Sequence, residues 1–154
     1  MREATADLWT FHARGAAVAV TTCGLVRRDG TAALGRGVAR QAGAAFPWFA
    51  PRLGELIRTR GNHVHHVGER IASFPVEHDP LQRPDPALIH RSAIELAALA
   101  QREGWSFVAL ARPGCGGGGL AWEEVRPLLW SVLDDRFVAL AAPPDPRAAA
   151  PSGG

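Results

Sequence analysis

Lysine is absent from this chain of 154 residues, and all seventeen basic residues are arginine. Because Schiff bases and lysine nucleophiles need a primary amine on the protein, enzymes that depend on lysine chemistry are excluded. Long apolar runs are absent as well. No stretch approaches the length needed to cross a bilayer, so we expect no membrane partner. The acidic residues leave a net charge of only +2, which by itself does not indicate a nucleic-acid partner.

Cysteine is scarce, with only Cys23 and Cys115 in the chain. The N-terminus lacks the basic start and apolar run of a signal peptide, so we expect a cytoplasmic location and free thiols. Two separated cysteines are too few for a zinc site. His63 and His65 share one face of a predicted strand, a pattern that favours an edge strand over metal binding. The sequence therefore predicts no metal and no cofactor, and we expect a monomer.

Glycine is concentrated in one stretch, where five of the six residues from Gly114 to Gly119 are glycine. An apolar run at 107–111 precedes it, and apolar residues at helical spacing follow from Val125 to Leu133. In such a strand–loop–helix unit a ligand can contact the bare backbone, and the helix N-terminus favours an anion. A flexible turn is the alternative. The loop lacks the Lys-Ser/Thr pair of a phosphate-binding Walker loop and the later acidic residue of a dinucleotide fingerprint.

Strands and helices alternate along the rest of the chain. Length and composition predict one globular domain over 1–142, followed by a disordered Ala- and Pro-rich tail over 143–154. The pattern predicts a mixed sheet with helices on both faces and ligands bound outside the carboxyl ends of the strands. The predicted strands cover 16–21, 63–67, 70–74, 107–111 and 136–140. The predicted helices run from the glycine pair at 35 and 37 to about 46, from 47 to 61, and from an Asp85 N-cap to Gly104.

Several motifs in this order resemble the macro domain. They are Thr21-Thr22-Cys23-Gly24, the segment from Leu34 to Ala42, the segment from Arg112 to Trp122, and the Ala6-Asp7-Leu8 start. The resemblance covers about residues 7 to 140. It looks closest to the branch that contains the terminal ADP-ribose glycohydrolases and the antitoxins that strip ADP-ribose from DNA. It implies a three-layer α/β/α sandwich with a mixed central sheet that binds ADP-ribose. A GC-rich bacterial source would explain the bias of the composition toward Arg, Ala, Gly and Pro.

The resemblance also implies a role for each loop. Asp7, with Leu8 beside it, would contact the adenine. The first glycine loop, Gly35 to Val38, would wrap the ribose that carries the attachment carbon. The second glycine loop, Gly114 to Leu120, would hold the diphosphate through backbone N–H groups. The implied ADP-ribose contacts are Asp7, Leu8, Cys23, Gly35, Arg36, Gly37, Val38, Gly114, Cys115, Gly116, Gly117, Gly118, Gly119 and Leu120.

The chain departs from the family at its catalytic positions. Hydrolases of this branch often use a lysine where this chain has Glu77, and some use an aspartate where it has Gly118. In the loop that follows the predicted strand at 16–21, Cys23 replaces the asparagine that is usual in the family. We therefore predict that Glu77 or His78 positions or activates the water, because both side chains titrate near neutral pH in a suitable environment. A solvated loop is the alternative for this pair, and packed small residues are the favoured interpretation of both cysteines.

Arginines and tryptophans near the predicted cleft have two possible uses. If several of the arginines line the mouth of the cleft, an ADP-ribose linked to nucleic acid becomes plausible. Otherwise the arginines form a solvated basic surface. We expect the tryptophans to pack, although Trp9 could also contact the adenine edge. The arginines are Arg27, Arg28, Arg36 and Arg83, and the other tryptophans are Trp48 and Trp122.

The resemblance implies a hydrolase that removes mono-ADP-ribose from a modified macromolecule and releases free ADP-ribose. The acceptor would be an acidic protein side chain or a DNA base. One alternative is a binding module with the same pocket and no turnover. The other is a phosphatase that acts on ADP-ribose 1″-phosphate.

Overall fold

A six-stranded sheet forms the middle of the molecule in the computed structural model, which describes residues 1–117 and 119–144. The strand order is β1-β6-β5-β2-β4-β3, and only β3 runs antiparallel to its neighbour. The strands are β1 (Arg2–Thr5), β2 (Ala17–Thr22), β3 (His66–Gly68), β4 (Ile71–Pro75), β5 (Val108–Ala111) and β6 (Phe137–Ala141).

Helices cover both faces of this sheet because parallel neighbours must be joined by crossovers. Side chains of β2 alternate between the two faces. Val18 and Val20 pack with helices α1 to α3, and Ala17 and Ala19 face the core formed by α4 and α5. The three-layer α/β/α sandwich with a mixed sheet is confirmed. The helices are α1 (Leu8–Ala13), α2 (Val38–Ala45), α3 (Phe49–Arg60), α4 (Pro86–Glu103) and α5 (Trp122–Trp130).

Helix α4 begins and ends where the sequence predicts. The Asp85 carboxylate accepts the N–H of Ala87 at 3.0 Å, and Pro86 occupies the first turn. Gly104 ends the helix in the left-handed conformation with φ 69°. Helix α3 ends at its C-cap Gly61, as predicted, but it begins at Phe49 rather than at Pro47.

The predicted strand at 63–67 is wrong, because β3 contains only His66–Gly68. His63 and His65 lie in an irregular segment, where their rings bond the Glu95 carboxylate and the Gly61 carbonyl at 2.8 and 2.9 Å. Side-chain partners here take the place of strand pairing, although the alternating sequence imitates a strand.

The turn between β3 and β4 lies one residue later than the gap at 68–69 between the two predicted strands. Glu69 and Arg70 form it, both with positive φ, at 45° and 62°. Gly68 serves close packing instead, since an added Cβ would lie 2.8 Å from the Trp48 ring.

Helix α1 was not predicted, and the predicted tail is only partly described. Residues 145–154 lie outside the described residues, so the domain boundary at 142 stays a prediction. Within 1–117 and 119–144, no helix has both the length and the apolar character that a bilayer span requires.

Candidate functional site

Four loops meet at one edge of the sheet, where β1, β2, β4 and β5 reach their carboxyl ends. The chain leaves β2 at Cys23-Gly24, β4 at Val76–His78 and β5 at 112–121. Because β5, β2 and β4 are neighbours in the sheet, these three loops lie side by side. This edge is where open α/β sheets bind ligands.

The second glycine loop is closed at its base and open at its rim. The N–H of Leu120 donates to the carbonyl of Gly114 at 2.9 Å. Gly114 has φ 73°, and an added Cβ would lie 2.9 Å from Leu120 Cδ1, so the base has no room for a side chain. Gly116 and Gly117 are exposed, and an added Cβ on Gly116 would meet no atom within 4 Å. The rim therefore offers bare backbone to a ligand.

The first glycine loop faces the second. Arg36 of this loop approaches Gly117, since a Cβ added to Gly117 would lie 3.9 Å from Arg36 Cδ. Gly35 and Gly37 have open space around them, and Gly37, with φ 74°, is the residue before helix α2. The two loops therefore approach each other at this edge of the sheet, and the space between them is the candidate cleft.

The helices that follow the glycine loops begin without a side-chain cap. Neither Gly37 before α2 nor Ala121 before α5 makes a side-chain cap hydrogen bond. Helix α3 begins without a side-chain cap as well, whereas Asp7 caps α1 and Asp85 caps α4. Unpaired N–H groups and the helix dipole favour an anion at such N-termini. Both walls of the cleft are therefore suited to phosphate.

A basic cavity of about 500 Å³ adjoins the first glycine loop. Three of its eight lining residues are arginines and none is acidic. Arg27 and Arg36 were among the arginines expected near the cleft; Arg40 was missed because it looked like an ordinary exposed position on a helix. Arg28 and Arg83 are exposed and do not line the cavity. The lining residues are Arg27, Thr31, Ala32, Leu34, Gly35, Arg36, Arg40 and Ala50.

Glu77 and His78 follow β4 on the other side of Cys23-Gly24. Burial, and then the charge of Asp79, raises the pKa of the half-buried Glu77 carboxyl. His78 is exposed, and its Nδ1 lies 3.0 Å from Asn62 Nδ2, which also donates to the Glu77 carbonyl at 3.2 Å. A carboxyl whose pKa is raised in this way can exchange protons with water more readily near neutral pH.

No protein-family model matches the sequence, and no curated protein matches it either. Solved structures match it in fold. The DarG macrodomain of Thermus aquaticus is 22% identical, with a TM-score of 0.74, and the match covers 92% of this chain and 97% of that chain. The DarG macrodomain of Mycobacterium tuberculosis is also 22% identical, with a TM-score of 0.74 and coverages of 94% and 97%. The chain has the macrodomain fold.

A structure of Thermosipho africanus DarTG in complex with ADP-ribose also contains this fold. It is 15% identical to the chain, with a TM-score of 0.72, and the match covers 96% of this chain and 44% of that one. The macrodomain fold is thus matched over nearly the whole described length.

Neither cysteine is an activated nucleophile. Cys23 is 3% exposed and its Sγ donates to the carbonyl of Ala33 at 3.4 Å. Cys115 is half-buried and donates to the carbonyl of Pro113. Burial raises the pKa of both thiols, which keeps them protonated. Cys23 lies in the site but is engaged inward, whereas Cys115 belongs to the second glycine loop.

Asp7 and its neighbours lie where α1 begins. Asp7 is exposed and accepts the N–H of Trp9 at 3.3 Å, while Leu8 is buried at 4% exposure. Trp9 Nε1 donates to Gln41 at 2.8 Å and its ring packs against Phe46. Trp9 therefore packs between α1 and α2, as the simpler interpretation expected.

Two further features complete the picture of possible sites. Gly118 lies outside the described residues, so its match to the family aspartate stays a prediction. Within the described residues, no group of three or more His, Cys, Asp or Glu side chains could hold a metal ion.

A hollow of about 580 Å³ lies between the start of β5 and the start of β6, away from every predicted site residue. It is at the amino ends of these strands, where such sheets do not bind ligands. Its lining residues are Ser106, Asp134, Asp135 and Arg136.

Proposed function

We propose that this macrodomain binds ADP-ribose between its two glycine loops and hydrolyses mono-ADP-ribose from a modified macromolecule. The observation that carries the proposal is the pair of opposed glycine loops, each leading into a helix without a side-chain cap. A diphosphate would accept hydrogen bonds from these N–H groups. The ADP-ribose complex of the Thermosipho africanus protein, which shares the fold, supports the choice of ligand.

Glu77 is the proposed proton acceptor. Its ionised carboxylate takes a proton from water as the water oxygen bonds to the anomeric carbon. The bond from that carbon to the acceptor breaks, and its electron pair leaves with the acceptor. The proton then passes from Glu77 to the leaving atom or to solvent. The transition state has oxocarbenium character, so a nearby carboxylate and the ligand diphosphate both stabilise it.

The basic cavity favours nucleic acid over protein as the macromolecule. Arg27, Arg36 and Arg40 line it without any acidic partner among the lining residues. It adjoins the loop proposed to hold the ribose that carries the attachment carbon. Phosphates that flank a modified nucleotide would be neutralised there, whereas an acidic side chain offers one charge only.

A binding module without turnover is the second candidate. It is favoured by the carboxylate at position 77, where related hydrolases carry a lysine. In that case the cleft would hold ADP-ribose and release no product. The two candidates therefore differ in a single observable, the appearance of free ADP-ribose.

The test is to incubate the protein with a mono-ADP-ribosylated oligonucleotide and, separately, with a mono-ADP-ribosylated protein, and to measure free ADP-ribose. We expect release from the oligonucleotide. Glu77→Gln should lower kcat by about 100-fold or more, since general acid–base catalysis contributes about 10²–10⁴. Its affinity for ADP-ribose should stay near that of the wild type.

Arginine variants test the contacts to the nucleic-acid acceptor separately from the contacts to ADP-ribose. Arg27→Ala and Arg40→Ala, both outside the implied ADP-ribose contacts, should raise KM for the oligonucleotide and reduce its dependence on salt, because each removes a proposed phosphate contact. Arg102→Ala, at the far end of α4, is the matched control and should change neither. Binding of ADP-ribose without release from either substrate would leave the binding module as the function.

A further inference from the structure

Asn62 joins the two residues proposed for catalysis, although nothing in the sequence singles it out. Its amide nitrogen Nδ2 lies 3.2 Å from the Glu77 carbonyl oxygen and 3.0 Å from His78 Nδ1. We propose that Asn62 is a positioning residue that holds His78 in the neutral tautomer with its proton on Nε2. His78 then serves as a hydrogen-bond donor and Glu77 as the proton acceptor. This inference rests on the proposed function of the cleft.

The orientation of the Asn62 amide follows from its carbonyl partner. A backbone carbonyl only accepts, so the atom of Asn62 that faces Glu77 must be the NH₂ group. The second hydrogen of the same group is directed to His78, and a donor requires an acceptor opposite it. His78 Nδ1 therefore carries no proton. In a neutral imidazole the proton must then lie on Nε2.

The amide keeps this orientation at a cost. Asn62 Oδ1 is buried and has no hydrogen-bond partner within the described residues. Such orphan acceptors are rare in proteins, and each calls for an explanation. Rotating the amide would place Oδ1 against the Glu77 carbonyl oxygen and would lose both donated bonds. The arrangement thus favours the partners of Nδ2 over satisfaction of Oδ1.

Helix α4 holds the backbone of Asn62 in place. The guanidinium of Arg91 donates from Nη2 to the Asn62 carbonyl. Glu95, one turn further along α4, lies 3.8 Å from Arg91 Nε and accepts the N–H of Val64 at 3.1 Å. The segment after α3 is therefore tied to α4 at Asn62 itself and at Val64.

Gly24 leaves the space that this arrangement needs. A Cβ added to Gly24 would lie 2.8 Å from Asn62 Nδ2 and 2.9 Å from the carbonyl oxygen of His78. The N–H of Gly24 donates to that same carbonyl at 3.1 Å. Gly24, just after β2, therefore holds the backbone of His78 through this hydrogen bond, while Asn62 orients the His78 ring.

The consequence is a division of chemical roles between adjacent residues. A neutral imidazole whose proton is on Nε2 donates a hydrogen bond there and cannot accept a proton at that atom. It suits a ligand phosphate or a departing oxygen or nitrogen that gains negative charge. The remaining proton acceptor is the Glu77 carboxylate. Asp79 on the same loop raises the pKa of Glu77 through its charge, and Arg91 on α4 contacts the Asn62 carbonyl.

The direct test is a long-range ¹H–¹⁵N spectrum of the full chain labelled at histidine, recorded near pH 8.5, about two units above the ordinary histidine pKa of about 6.5. Wild-type His78 should show a protonated Nε2 and a bare Nδ1. His12 is an internal control, because its Nε2 lies 2.7 Å from the Glu69 carbonyl and must donate to it. A protonated Nδ1 in wild-type His78 would overturn the inference, whatever the activity.

Substitution of Asn62 gives the second arm. Asn62→Asp puts an acceptor beside Nδ1 and should move the His78 proton from Nε2 to Nδ1, while the His12 signals stay unchanged. With the oligonucleotide substrate, its kcat should fall at least about tenfold with KM little changed. Asn62→Leu should give a mixture of tautomers and an intermediate kcat. Thermal melting checks that each variant folds.

The two hypotheses fail in different ways. A tautomer shift in Asn62→Asp with unchanged kcat would refute the positioning role and leave hydrolysis standing. If the wild type releases no ADP-ribose, hydrolysis is refuted. The wild-type spectrum still decides the tautomer, and the ADP-ribose affinity of Asn62→Asp then decides the role. A weaker affinity supports His78 as a ligand donor, and an unchanged affinity overturns it.

Discussion

Gly117→Ala should weaken ADP-ribose binding while leaving the fold intact. Gly117 is exposed, lies outside the positive-φ region and has only Arg36 Cδ, at 3.9 Å, near the position of an added Cβ. Among the described residues, the new methyl group would therefore meet no atom at a repulsive distance. It would project into the space between the loops, where the proposed diphosphate lies against the backbone.

The magnitudes on stability and on binding differ. Surface substitutions without strain usually change the free energy of unfolding by no more than about 0.5 kcal/mol. A methyl group forced into a filled contact costs about 1–3 kcal/mol. If that cost falls on the bound state alone, the dissociation constant for ADP-ribose should rise by about 5- to 150-fold.

Calorimetric titration with ADP-ribose and urea unfolding measure the two quantities on the same sample. Gly104→Ala is the matched control, because Gly104 has φ 69° with no atom within 4 Å of an added Cβ and lies at the far end of α4. It should lose about 1 kcal/mol of stability and keep its affinity. Unchanged affinity in a folded Gly117→Ala protein would refute the placement of the diphosphate.

Three further predictions concern stability. Gly54→Ala should unfold about 2–4 °C lower for each kcal/mol of an overpacking cost of about 1–3 kcal/mol, because its Cβ would lie 2.0 Å from the Gly30 carbonyl oxygen; a wild-type melting curve would contradict this. Glu77→Gln should be more stable than the wild type at pH 7 and equal to it below about pH 4. Burial raises the pKa of Glu77 in the folded wild type, so the ionised carboxylate lowers the free energy of unfolding at pH 7, whereas the protonated carboxyl does not. Thermal melting at the two pH values checks the direction of the difference between variant and wild type. Burial lowers the folded pKa of His65, so the unfolded chain binds more protons below about pH 6.5 and stability should fall as pH drops through that range. Urea midpoints should show a smaller fall in His65→Gln.

Much of the architecture could be predicted because its signals are local. Asp85-Pro86 begins α4 and Gly104 ends it through cap geometry that depends on a few adjacent residues. The alternation of strands with helices implied the layered sheet, and the carboxyl ends of parallel strands necessarily share an edge. The glycine loop between β5 and α5 could be predicted because five glycines in six residues separate a strand pattern from a helix pattern.

The remaining features depend on contacts between distant parts of the chain. Helix α1 has six residues, too few for the helical period to stand out, and its cap is its main signal. The segment at 63–65 is shaped by Glu95, some thirty residues away, so its alternating pattern misled the strand assignment. Asn62 reads as an ordinary turn residue after Gly61, and only the approach of His78 reveals it.

The uncapped starts of α2 and α5 make part of this domain's order conditional on its surroundings. In the free protein, water must satisfy the first N–H groups of both helices, whereas α4 carries its own aspartate cap. A bound diphosphate would act as the missing cap for both at once. Amide hydrogens in these first turns should therefore exchange faster than those of α4 in the free protein and slow on binding. Diphosphate binding and the stability of the first turns of α2 and α5 are then coupled, so the free energy of that coupling can be measured either from ligand affinity or from amide exchange.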